Sequence, residues 1–194
     1  MMLRSFIAVE LRPEIQNAIA SGTASLQKSL PKPLVRWVIP GNLHLTLKFL
    51  GDISSANLER LAEVLKTEAA THASFSFAFG GIGAFPTPRR ARVIWIGLET
   101  PPDLAALQRG VEAATNRMGY PPEERPFSPH LTIGRVGQNV TSIDLQKIKI
   151  ALDETKVGSL GTVLVDAIHI FKSDLQPSGS VYTHLYAMPM KPST

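Results

Sequence analysis

The chain has 194 residues, 44% hydrophobic and 19% charged, enough for one substantial core or two small lobes sharing a cleft, and this composition argues against disorder. Twenty lysines and arginines against sixteen acids give a net charge of +4, which inclines the chain toward phosphate-bearing or polyanionic partners. The absence of cysteine excludes disulfides, thiolate catalysis and zinc-thiolate sites, and a cytoplasmic setting is expected.

Met1 to Leu11 alternates like a strand and carries Arg4 and Glu10, so it reads neither as a signal peptide nor as a spanning helix. Within it, Ser5 to Leu11 is the predicted strand. Pro13 opens a helix predicted to run to about Leu30, with Ile15, Ala18, Ile19 and Leu26 on one face, and Pro31 and Pro33 end it. Arg36 to Ile39 is a brief extended piece and Leu43 to Leu50 a strand. Ser54 or Ser55 then caps a helix to about Thr71, with Leu58, Leu61 and Leu65 inward. Phe75 to Phe79 alternates as a strand, Gly80 to Arg90 reads as a connection, and Arg92 to Leu98 is a further strand before a helix over Pro101 to Met118. A proline-rich loop, Gly119 to Pro129, leads to a strand at Leu131 to Val136 and a helix at Ile143 to Leu152. Two β-rich stretches, Gly161 to Lys172 and Ser180 to Met188, close the chain, joined by a turn containing Pro177 and Gly179. Strands mixed with helices through tight connections predict an α+β architecture with antiparallel pairing.

The tripeptide His-Leu-Thr occurs at His44-Leu45-Thr46 and again 86 residues later at His130-Leu131-Thr132, and each copy ends in a glycine, Gly51 or Gly137, seven residues past its histidine. One His-x-Thr has an ordinary explanation in strand propensity. Two in the same register point to equivalent half-domains, each delivering an imidazole and a hydroxyl. Alternation puts His44, Thr46 and Lys48 on one face, with Leu43, Leu45, Leu47 and Phe49 behind. His130 and Thr132 likewise share a face. Across a groove, one imidazole can deprotonate an attacking oxygen while the other protonates the leaving oxygen, and the threonine hydroxyls can bond phosphoryl oxygens. A metal would need a third ligand. The nearest carboxylate after the first motif is Asp52, and the second has none closer than Glu124 and Asp144, so catalysis without metal or cofactor is expected.

These motifs resemble those of the two-histidine phosphoesterase superfamily, specifically its bacterial and archaeal 2′-5′ RNA ligase group, also called RNA 2′,3′-cyclic phosphodiesterases. The resemblance runs almost end to end. It includes Arg4-Ser5-Phe6-Ile7-Ala8-Val9, Arg36-Trp37-Val38, Asn42 through Gly51, Gly83-Ala84-Phe85-Pro86, Arg92-Val93-Ile94-Trp95 and Arg125 through Thr132. It implies one domain over residues 1–194, made of two intertwined pseudo-repeat lobes whose antiparallel sheets face a central cleft, with helices outside. It also implies hydrolysis of a 2′,3′-cyclic phosphate to a 2′-phosphomonoester and reversible 2′-5′ joining of RNA ends. His130 would be the base, His44 the acid, and Thr46 and Thr132 would orient phosphate. Arg135 matches a phosphate-holding position, yet strict alternation from His130 would bury it. A bulge at Gly134, or an end to regular pairing there, would turn it into the cleft.

Lys48, Trp37 and Phe127 are further candidates for nucleotide contact, each with an ordinary alternative: a solvated strand end for the lysine, core packing for the aromatics. Gly80-Gly81-Ile82-Gly83 lacks the context of a nucleotide-binding loop and reads as a bend between strands. Arg89, Arg90 and Arg92 form the densest basic cluster. His72, His169 and His184 have no repeated partner and read as structural. The expected partners are RNA ends or nucleotides with a cyclic phosphate. Neither a membrane nor a protein partner is called for, and a monomer is expected. The alternatives are an RNA- or nucleotide-binding module with the same cleft and little turnover, or an enzyme for another cyclic phosphate.

Overall fold

The structure, a computed structural model, describes residues 2–176 and 179–193. Pro177 of the expected closing turn lies outside the described residues.

Among the described residues nine strands form two antiparallel sheets. In chain order they are β1 (Met2–Glu10), β2 (Val35–Trp37), β3 (His44–Ser54), β4 (Phe75–Phe85), β5 (Val93–Leu98), β6 (Leu131–Val136), β7 (Ser159–Val165), β8 (Ala167–Gln176) and β9 (Gly179–Pro189). One sheet has the order β3-β1-β8-β9 and the other β2-β6-β5-β4-β7. The α-helices are α1 (Pro13–Gly22), α2 (Ala24–Ser29), α3 (Ser55–Ala69), α4 (Pro102–Asn116) and α5 (Ser142–Glu154). This is the expected α+β class.

The helix expected over Pro13 to Leu30 is two helices, broken at Thr23. The Thr23 hydroxyl bonds the Ile19 carbonyl at 2.8 Å, the kind of local side-chain bond that competes with the helical ladder. Ser54 caps α3 by accepting from the Asn57 amide, and Thr141 caps α5 in a reciprocal box with Asp144. Those bonds hold the Asp144 carboxyl below its ordinary pKa.

A further correction concerns Gly80 to Arg90. The strand does not stop at Phe79 but continues through Ala84 to Phe85, because β5 on one side and β7 on the other supply its hydrogen bonds. The glycines carry a bulge instead of a bend between strands: Gly81 has φ +72° and stands unpaired against β5. A short 3-10 turn at Pro88–Arg90 then leads to β5.

The helix-facing sides of both sheets share one continuous core. It includes Ile7 and Val9 of β1, Leu45 of β3, Leu61 and Leu65 of α3, Ile94 and Ile96 of β5, Leu107 and Val111 of α4, and Leu131 of β6. On its other face β1 buries Phe6 and Ala8 in a small separate cluster with Phe171, against which Tyr182 packs. Both faces of β1 are therefore covered, so the expected alternation of exposure fails from Ser5 to Val9. Among the described residues no helix is long and apolar enough to cross a membrane.

Candidate active site

The His44 strand is an edge strand, bonded only to β1, and its register is broken twice. Val9 pairs with Leu45 and Ala8 with Thr46, but Ile7 then pairs with Lys48, leaving Leu47 as the extra residue of a bulge. A bulge reverses the facing of everything beyond it. His44 and Thr46 therefore share the side of Ala8 and Phe6, away from the core, whereas Lys48 joins Leu45 on the core side. Phe49, opposite Phe6, turns outward and is 59% exposed. Alternation placed Lys48 in the cleft and Phe49 behind it. The structure exchanges them. The Lys48 ammonium reaches Glu112 of α4 at 2.5 Å and the Pro121 carbonyl at 2.8 Å, and its side chain is 1% exposed.

The second strand repeats the device. Ile96 pairs with Leu131 and Trp95 with Thr132, but Ile94 pairs with Gly134, so Ile133 is the bulged residue. Arg135 thereby falls opposite Val93, on the side of Thr132, and is exposed. The sequence expectation located the break at Gly134; it lies one residue earlier. Gly134 serves a different need: a Cβ there would come within 2.9 Å of both Trp37 and Val35. Leu47 and Ile133 are separated by the same 86 residues as the two histidines.

Each imidazole is held in the same way. His44 Nδ1 lies 2.8 Å from the Asn42 carbonyl oxygen and His130 Nδ1 lies 2.8 Å from the Ser128 carbonyl oxygen. A carbonyl only accepts, so both rings donate from Nδ1, and in the neutral tautomer Nε2 keeps its lone pair for substrate. Phe6 packs against His44 with ring centroids 4.6 Å apart, and Tyr182 meets it edge-on at 5.1 Å. Phe85 meets His130 edge-on at 4.9 Å. Burial pushes His44 down to about pH 4 against the upward pull of its bond to Asn42, and the Arg135 charge from the facing sheet adds to the fall. Buried Thr23 and Thr115 bond back to the Ile19 and Val111 carbonyls. Among the described residues, by contrast, the Thr46 and Thr132 hydroxyls have no hydrogen-bond partner.

The remaining candidates are placed as follows. Trp37 lines a groove beside Arg135, but it is on the side of β2 opposite Arg36, and its indole N–H is already given to the Leu30 carbonyl at 3.0 Å. Phe127 packs against the main core. Arg89, Arg90 and Arg92 sit on or just after the 3-10 turn, exposed. His72 bonds Glu68 at 3.0 Å. His169 lies opposite Ala8 on the cleft side and is bonded to His184 at 2.9 Å; burial pushes its pKa down. Phe6, Phe49, Phe85 and Tyr182 were missed as site residues. Their signal was a phase change that two bulges impose, together with pairing between distant strands.

Two antiparallel sheets that each carry one copy of a repeated His-x-Thr motif, with Arg135 of one sheet near enough for its charge to act on His44 of the other, are the arrangement of a two-histidine phosphoesterase. The chain belongs to the LigT like phosphoesterase family, whose sequence model matches it twice, over residues 9–95 and 96–182. It is 34% identical to the RNA 2′,3′-cyclic phosphodiesterase of Methanothermobacter thermautotrophicus over 95% of this chain and 97% of that protein. The Escherichia coli K12 protein of the same name is 31% identical over 72% of this chain and 76% of its own length. Among solved structures, E. coli LigT complexed with 3′-AMP superposes with a TM-score of 0.77 at 26% identity, covering 98% of this chain and 99% of that one. LigT has also been solved in complex with ATP, at 25% identity and a TM-score of 0.71 over 98% of this chain and 99% of that one.

Proposed function

We propose that the protein is an RNA 2′,3′-cyclic phosphodiesterase that opens the cyclic phosphate to a 2′-phosphomonoester by two-histidine acid and base catalysis. The observation that carries this reading is the duplicated geometry. Two imidazoles each have Nδ1 tied to a backbone carbonyl two residues earlier, each shares a strand motif with a threonine whose hydroxyl has no hydrogen-bond partner among the described residues, and Arg135 follows the second threonine on its own side of β6.

His130 Nε2 takes the proton of a water whose oxygen attacks phosphorus. The bond from phosphorus to the 3′ oxygen breaks, and His44, protonated on Nε2, gives its proton to that oxygen. By itself the protein keeps His44 neutral at pH 7, since it titrates at about 4. The anionic phosphate supplies the charge that lets His44 take up its proton, because an opposite charge nearby favours imidazolium. Thr46, Thr132 and Arg135 stabilise charge on the nonbridging oxygens. With a 5′-hydroxyl in place of water, the same steps open the cyclic phosphate to a 2′-5′ linkage and a free 3′-hydroxyl, and that reaction run backwards cleaves the linkage to a cyclic phosphate and a 5′-hydroxyl. No metal or cofactor enters the scheme.

The lobes are read as intertwined within one domain. In support, β4 follows the first motif in sequence yet pairs with β5 and β7, while β8 follows the second yet pairs with β1. A cytoplasmic monomer acting on RNA ends or nucleotides suits the cysteine-free, basic chain. The test is hydrolysis of a nucleoside 2′,3′-cyclic phosphate in excess chelator by intact protein, His44→Ala and His130→Ala, with the phosphate position identified. Turnover to the 2′-phosphate that collapses in both variants supports the reading. Binding that survives both substitutions while the intact protein hydrolyses nothing would make the cleft a recognition module.

A further inference from the structure

Arg36 of β2 and Arg135 of β6 are partners in direct register. Directly opposed residues share a face, so Arg36 lies on the cleft side with Arg135, one strand farther from the histidine motif. Like charges opposed on adjacent strands are destabilising. Yet neither guanidinium has a carboxylate partner among the described residues, where the arginine ion pair is Arg12 with Asp166. Both open into a groove of about 230 Å³ whose facing wall includes Asn42, Val181 and Tyr182. That wall is fixed, because the Asn42 amide donates to the Ser180 carbonyl at 2.7 Å.

A second groove, of about 430 Å³, opens beside Phe49 and Gly51, toward the other end of β3. It is lined by Tyr120, Pro122, Glu123 and Glu124 as well as Arg125, so its carboxylates oppose an entering phosphate. Charge therefore sorts the two openings: the polyanionic part of a ligand belongs on the arginine side.

We propose that Arg36 and Arg135 form a two-phosphate site. Arg135 holds the reacting phosphate, and Arg36 holds a second one, carried on the 5′ side of the same nucleoside. This rests on the phosphodiesterase reading for the identity of the first phosphate. Arg36 is then a specificity-determining residue that favours an RNA end, or a 5′-phosphorylated nucleotide, over a nucleoside carrying the cyclic phosphate alone. A guanidinium suits the task, since it stays charged and its planar fork matches two phosphate oxygens.

The experiment compares wild type with Arg36→Gln in binding three 2′-phosphate products: a nucleoside 2′-phosphate, a nucleoside 2′,5′-bisphosphate and a dinucleotide ending in a 2′-phosphate. Hydrolysis of the matching cyclic phosphates runs in parallel. The wild type should prefer the ligands with a second phosphate, and Arg36→Gln should cut that preference roughly tenfold, as a charge-assisted hydrogen bond to phosphate predicts. The dependence of dinucleotide affinity on salt should weaken by about one phosphate contact. Preference for both second-phosphate ligands marks a general phosphate site, and preference for the dinucleotide alone marks a phosphodiester. A wild type indifferent to the second phosphate, or an unchanged preference in a variant with wild-type melting temperature, overturns the proposal. Binding needs no turnover, so absent hydrolysis with the preference intact would sink the phosphodiesterase reading and leave the arginine site standing.

Discussion

Phe49 stands to His44 as Arg135 stands to His130: each lies five residues past its histidine, and each is turned onto the cleft face by a bulge at the aliphatic residue after the threonine. The halves are thus alike in backbone and unlike in what they deliver, a guanidinium from one and an exposed phenyl ring from the other. Arg135→Ala should raise the Michaelis constant for a cyclic phosphate by about tenfold, the loss of one charge-assisted hydrogen bond. Unchanged kinetics would remove Arg135 from the phosphate site.

Replacing either histidine by alanine should lower kcat by about 10²- to 10⁴-fold, the range of a positioned proton donor or acceptor, with little change in melting temperature for His130. Stopped assays with product analysis measure this. A variant that retained a tenth of wild-type kcat would demote its histidine from proton transfer.

His44 links stability to pH. Its folded pKa of about 4 lies below the ordinary value of 6.5, so the unfolded chain binds the proton more readily between those values. The contribution is fully present above pH 6.5 and is lost as pH falls toward 4, on the order of 3 kcal/mol in all. Urea midpoints at pH 7.5 and 4.5 should differ less in His44→Gln than in wild type. Equal slopes would show that His44 is not held neutral by burial.

The same residue links binding to protons. A bound phosphate raises the His44 pKa, so binding takes up a proton, and affinity rises as pH falls from the pKa of the complex toward the free value of about 4. Calorimetry in buffers of different ionisation enthalpy measures the uptake. Zero uptake by wild type would count against His44 as the acid.

Lys48→Met should act on stability and not on substrate. It leaves Glu112, which is 16% exposed, without its cation and with the Gln108 amide at 3.3 Å, and abandons the Pro121 carbonyl, a loss of about 1–3 kcal/mol. The melting temperature should fall while the Michaelis constant stays within twofold. The reverse pattern would return Lys48 to the cleft.

Gly134→Ala drives a methyl group toward Trp37 and Val35, and overpacking of this kind costs about 1–3 kcal/mol. Thermal denaturation should show it, with Trp37 fluorescence shifting as the indole is displaced. A neutral effect would mean that β2 can slide outward freely.

By itself the sequence determined the fold class, most of the elements and the repeated His-Leu-Thr, because periodicity, caps and a fixed offset are local properties written along the chain. It carried Arg135 only as far as a conflict between alternation and chemistry. Tertiary structure decided that conflict, since a bulge is a mismatch between two strands and appears only when both are paired: β5 with β6 turned Arg135 into the cleft, and β1 with β3 turned Lys48 out and Phe49 in. The strand continuing through Gly80 to Gly83 was hidden for the same reason, its hydrogen bonds being made to β5 and β7. The low pKa of His44 likewise depends on burial among Phe6 and Tyr182, residues 38 before it and 138 after it, which no spacing within the motif encodes.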